Sequence, residues 1–129
     1  AGAVVVLSRV PLGAPRVQAE FDRSDRAAPR AMFERLPAWG KRASWGQQNS
    51  FEAFLLHAPA CLLCLLAAPA VVAETPWIAW AAWLHPLLRV AYLAAYLANV
   101  PPLRSLSWVV ALLCSGLLYG AGLRGVLHG

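Results

Sequence analysis

Asn49 and Glu52 stand three residues apart in the stretch GQQNSFEAF, at the head of a long apolar run. On a helix they lie one turn apart on one face. A second polar stripe follows. Arg89, Tyr92 and Tyr96 are spaced i, i+3, i+7 and share one side of a helix. Arg104 and Ser105 open a further apolar run. Charges at membrane depth are rare, usually paired, and point to function by default. Two chemistries fit these residues. In the first, they are polar glue between helices, with Glu52 meeting Arg89 or Arg104 across an interface. In the second, they form a site for an anionic small molecule. Two arginines and two phenols suit a carboxylate, and an arginine stabilises a bound thiolate.

The elements that position them are apolar. The chain has 129 residues, of which 60% are hydrophobic and 13% charged. Residues 53–73 carry no formal charge, residues 76–98 are interrupted only by His85 and Arg89, and residues 105–123 are uncharged. Each is about as long as the roughly 20 residues a membrane crossing needs. In lipid the backbone must satisfy itself, so helices are predicted rather than open strands. Pro59, Pro69 and Pro86 predict local kinks. With the adjoining turns, spans are expected at about 50–73, 76–98 and 103–123.

The net charge of +5 belongs mostly to the first third of the chain, where Arg9, Arg16, Arg23, Arg26, Arg30, Arg35, Lys41 and Arg42 cluster. No interleaving of aromatic and basic residues suggests a nucleic-acid binder. The positive segment reads as a loop on an anionic membrane face. Residues 1–8 (AGAVVVLS) are too short to cross and read as the tail of a first helix that is mostly missing from this chain. Residues 9–43 then form the basic loop, with a short surface helix around Ala28–Leu36. Residues 44–129 form the membrane bundle. The fold expected is an all-α membrane protein, a four-helix transmembrane bundle. If the basic loop faces inward, Asn49, Glu52, Arg104 and Ser105 gather at the inner side. The Glu74–Thr75–Pro76 turn lies outside, near an interfacial cluster of Trp77, Trp80 and Trp83.

Several features carry less. Cys61 and Cys64 fall mid-span, where cysteines are most often small apolar fillers, and with Cys114 they make an odd count. His57 and His85 are single histidines in spans. Such residues mostly hydrogen-bond to a neighbouring helix, although a neutral imidazole also ligates haem or chlorophyll magnesium. Gly116 and Gly120 form a GxxxG that suits close packing, within the bundle or against a partner. No metal site is read.

The stretches KRASWGQQNSFEAF and LLRVAYLAAYLANVPPLRSLSW, one span apart, resemble the MAPEG family, the membrane-associated proteins of eicosanoid and glutathione metabolism. The likeness runs from about Phe21 to Leu123. FDRSD, PRA and NSFEAF look closest to its bacterial and cyanobacterial branch. The resemblance implies a trimer of four-helix bundles with glutathione between subunits. It also implies that Asn49, Glu52, Arg89, Tyr92 and Tyr96 bind glutathione, that Arg104 stabilises its thiolate, and that Ser105 stands beside it. Two positions depart from the family pattern. Trp45 stands where glutathione-using members have an arginine, with Arg42 nearly a turn earlier, and Leu55 stands where a proline is common.

Two functions follow as expectations. One is a glutathione-dependent transferase or peroxidase for lipophilic electrophiles, with Arg104 and Ser105 as its catalytic residues. The other is a non-catalytic accessory subunit of a larger respiratory or photosynthetic complex. The partners expected are the lipid bilayer and either a homotrimer or such a complex, without nucleic acid. The membrane is organellar (thylakoid or mitochondrial inner) or bacterial inner.

Overall fold

A computed structural model describes residues 1–19 and 30–128. Among the described residues all regular structure is helical. Six α-helices follow in order: α1 (Gly2–Leu7), α2 (Gly13–Gln18), α3 (Ala38–Ala67), α4 (Pro69–Glu74), α5 (Pro76–Leu97) and α6 (Pro101–His128). Short 3-10 turns at Val10–Leu12 and Ala31–Arg35 join the early elements. Three helices, α3, α5 and α6, are long and apolar enough to cross a membrane. This is the all-α membrane bundle expected. Three long helices, not four, stand among the described residues. The short α1 lies against α3 and α5. The expected surface helix near Ala28–Leu36 appears as the 3-10 turn Ala31–Arg35, while Ala28 and Pro29 lie outside the described residues, as does FDRSD.

Helix α3 starts well inside the stretch expected to be polar loop. The reason is a stripe of small residues. Gly40, Ala43, Gly46, Ser50, His57, Ala60 and Cys64 are buried at spacings of three, four and once seven residues, all of which return to one face of the helix. A Cβ at Gly40 would lie 2.5 Å from Pro15, and one at Gly46 would lie 2.9 Å from Leu93. The helix ends where Pro69 follows Ala68, at φ −139° and ψ 45°, because a residue before proline is pushed out of the helical region. The expected span 50–73 therefore falls on the second part of α3 and on α4. Pro59 and Pro86 remain inside α3 and α5, which run on past them.

The core is built from small and medium side chains of three helices: Ala60 and Cys64 on α3, Ile78 and Ala81 on α5, and Cys114, Leu118 and Ala121 on α6. All three cysteines are free, and Cys64 Sγ donates to the Leu118 carbonyl at 2.9 Å. At the far end α6 passes close to the α3–α4 break, where a Cβ on Gly125 would lie 2.5 Å from the Ala67 carbonyl oxygen. By contrast a Cβ on Gly116 or Gly120 would meet nothing within 4 Å. The GxxxG motif therefore does not pack within the described bundle. Trp77, Trp80 and Trp83 also face outward, with Trp80 and Trp83 both 74% exposed.

The turn that sets up α6 is specified by its residues. Asn99 takes a left-handed conformation, φ 58°. Its N–H reaches the Tyr96 carbonyl at 3.3 Å, and the Val100 N–H reaches the Ala95 carbonyl at 2.9 Å. This paired closure satisfies the last carbonyls of α5. Pro101 then opens α6 with φ already fixed. The result places Arg104 one turn into α6, beside the end of α5.

Candidate functional site

Three helices bring the polar residues together at one end of the bundle. Arg89 is only 2% exposed on α5. Its Nη2 donates to Asn49 Oδ1 on α3 at 2.9 Å, and its guanidinium lies 4.0 Å from the centre of the Tyr92 ring. Nε and Nη1 are buried without a partner. Tyr92 and Tyr96 follow as a tilted ring pair 5.4 Å apart, and the Arg104 guanidinium sits 4.9 Å over Tyr96. The i, i+3, i+7 stripe is thus a continuous ladder from buried Arg89 to half-buried Arg104. A cation over an aromatic face is stabilised electrostatically, and more so when desolvated.

Glu52 does not pair as expected. It meets neither Arg89 nor Arg104. Its carboxylate accepts from Gln48 Nε2 at 3.1 Å and from Asn49 Nδ2 at 3.4 Å, all within α3. The physical reason is reach. Glu52 is an exposed residue on the outer flank of the stripe, and Asn49, one turn earlier, takes the Arg89 contact itself. Asn49 is the hinge of the network. Its amide oxygen faces the cation and its amide nitrogen faces the anion.

Three clefts surround this network. The first, about 160 Å³, is lined by Asn49, Glu52 and Leu56 of α3, His85 and Arg89 of α5, and Trp108, Leu112 and Ser115 of α6. The second, about 360 Å³, is lined by Trp45, Gln48, Asn49, Glu52, Tyr92 and Tyr96. The third, about 300 Å³, is lined by Lys41, Arg42, Trp45, Tyr96, Asn99 and Arg104. Asn49 and Glu52 are shared by the first two, and Trp45 and Tyr96 by the last two. Three cations and no carboxylate line the third. Lys41 has a partner in Glu34 at 3.4 Å, but Glu34 is 80% exposed, so the pair contributes little. Ser105 is exposed on α6 and lines none of the three.

The two histidines are not isolated. Their rings stack at 3.7 Å with an interplanar angle of 4°. His57 Nδ1 lies 3.1 Å from Ser115 Oγ and Nε2 lies 3.2 Å from the Ala82 carbonyl. A carbonyl only accepts, so Nε2 carries the proton and Ser115 donates to Nδ1. His85 Nδ1 is buried without a partner. Among the described residues no three His, Cys, Asp or Glu side chains gather as metal ligands.

The profile of the MAPEG family matches residues 1–124. The chain belongs to the MAPEG family. No curated protein and no solved structure matches it. As a MAPEG protein with three membrane-length helices it is an integral membrane protein, and its exposed apolar faces meet the bilayer.

Reading the residues alone missed His85, Gln48, Ser115 and the Lys41–Arg42 pair as neighbours of the cluster. Gln48 was visible as the i−4 neighbour of Glu52. His57 and His85 carry no signal of their stacking, because nothing in a sequence fixes which faces of two helices meet.

Proposed function

We propose that this MAPEG protein is a glutathione-dependent transferase or peroxidase acting on lipophilic electrophiles that arrive through the bilayer. The observation that carries the reading is the pair of clefts sharing Trp45 and Tyr96, with Asn49, Glu52 and Tyr92 at one end and Arg104 at the other. Glutathione has two carboxylates, an ammonium and a thiol. The cationic cleft of Lys41, Arg42 and Arg104 suits the first, and Glu52 suits the ammonium. Trp45 offers no guanidinium of its own, so Arg42, which lines the cationic cleft with it, is the nearby arginine for a carboxylate. Arg104 stabilises the thiolate, which raises the fraction of nucleophile at neutral pH. The sulfur then attacks an electrophilic carbon, a C–S bond forms, and the leaving group departs with its electron pair. Ser105 stands beside Arg104 and completes the site against a neighbouring subunit of a homotrimer.

The test is conjugation of glutathione to a chlorodinitrobenzene by protein in lipid nanodiscs. Arg104→Ala should cut the rate at least about 10-fold while leaving the melting curve unchanged. It removes a charge contact of roughly 1.5–3 kcal/mol from a partly exposed residue. Unchanged turnover in a folded Arg104→Ala protein contradicts the assignment.

A second reading has its own observation. Gly116 and Gly120 leave an open strip on the outside of α6. This favours a non-catalytic accessory subunit of a respiratory or photosynthetic complex, in a thylakoid, mitochondrial or bacterial membrane, packed along that strip. Purification in mild detergent solely as a homotrimer removes its support.

A further inference from the structure

The cleft between α3, α5 and α6 holds two polar side chains, Arg89 and His85, that line neither of the two clefts assigned above to glutathione. Arg89 and His85 are each only 2% exposed, and both line it. Arg89 keeps two donors, Nε and Nη1, buried without an acceptor, and His85 keeps Nδ1 buried without a partner. An unmet buried donor on a charged group is costly. Guanidinium nitrogens only donate, so what they lack is an acceptor. Leu56, Trp108 and Leu112 also line the cleft and remain 49%, 43% and 43% exposed, so its mouth is apolar and opens to the outside of the bundle. Its volume, about 160 Å³, matches the roughly 150 Å³ of an apolar cavity that holds a benzene ring.

We propose that this cleft binds a neutral, ring-sized lipophilic carbonyl compound, with its oxygen on the buried Arg89 and His85 and its ring against Leu56, Trp108 and Leu112. Neutrality follows from Glu52, which lines the same cleft. A carboxylate ligand would set a second negative charge beside it, whereas a ketone or quinone oxygen accepts the hydrogen bonds without adding charge. The ligand enters from lipid, where the mouth is apolar. The site stands on α3, α5 and α6 of one chain and holds whether or not glutathione binds next to it.

The test uses two probes of one shape, para-fluoroacetophenone and para-fluoro-α-methylstyrene, which differ by C=O against C=CH2. Their binding to the protein in lipid nanodiscs is followed by fluorine NMR, with empty nanodiscs as baseline. The ketone should bind saturably and roughly 10- to 100-fold more tightly than the hydrocarbon, the range for a hydrogen bond to a charged group. Arg89→Met should bring the ketone down to the level of the hydrocarbon. Leu112→Trp fills the mouth without touching a polar group and should weaken both. The proposal is overturned if the ketone shows no saturable binding, if the two probes bind alike, or if either variant leaves ketone binding unchanged. No glutathione is present, so the outcome is separate from that of the conjugation assay.

Discussion

Truncating Asn49 to alanine should destabilise the bundle through a residue on another helix. Asn49 Oδ1 takes the Arg89 Nη2 hydrogen at 2.9 Å, while Nε and Nη1 have no acceptor. Arg89 is 2% exposed, so water does not replace the lost carbonyl. Hydrogen bonds between membrane helices average only about 0.6 kcal/mol, because the unfolded chain in lipid also finds partners. Bonds to a charged group run higher, about 1.5–3 kcal/mol. A cation already short of two acceptors belongs to the second class, and Asn49→Ala should cost about 2 kcal/mol. Arg89→Met removes the buried charge and the need for the carbonyl. In that background Asn49→Ala should cost less than about 0.5 kcal/mol, giving a coupling near 1.5 kcal/mol in a four-protein cycle. SDS-driven unfolding in bicelles, followed by tryptophan fluorescence, measures all four. A coupling under about 0.5 kcal/mol would refute the view that Asn49 serves the buried cation.

Gly125→Ala should destabilise by about 1–3 kcal/mol, because its Cβ would lie 2.5 Å from the Ala67 oxygen. Gly120→Ala, with nothing within 4 Å, should leave the bundle unchanged or up to about 1 kcal/mol more stable. The same unfolding assay separates the two. Asn99→Gly should be tolerated within about 0.5 kcal/mol, whereas Asn99→Val should cost about 1–2 kcal/mol. The left-handed φ of 58° at Asn99 is open to glycine and closed to a branched side chain, and thermal melts of the two proteins test this.

The helices were legible because lipid leaves few alternatives. Apolar runs of span length between Pro and Gly punctuation can only be helices; α5 covers Pro76–Leu97, while α6 runs from Pro101 to His128, past the expected end at Leu123. The start of α3 was not legible, because its stripe of Gly40, Ala43 and Gly46 is small rather than apolar and lies among charges. The Arg89–Tyr92–Tyr96 ladder was legible from spacing, since i, i+3, i+7 fixes a shared face. The partner of Arg89 was not. Opposite charge suggested Glu52, but the rotation of α3 against α5 decided for Asn49. The stacked histidines depend on the same inter-helix rotation and left no trace in spacing.

The most direct test of the account is calorimetric titration of glutathione into the protein in nanodiscs, with Asn49→Ala and Arg104→Ala alongside. Saturable binding is expected, weakened at least about 10-fold by Arg104→Ala, which removes a charge contact to the ligand, and weakened also by Asn49→Ala, which removes the side chain that orients Glu52 and Arg89 in the cleft wall. Absence of binding to the folded wild-type protein would contradict it, and would leave Asn49, Arg89 and Arg104 as the polar glue of the helices.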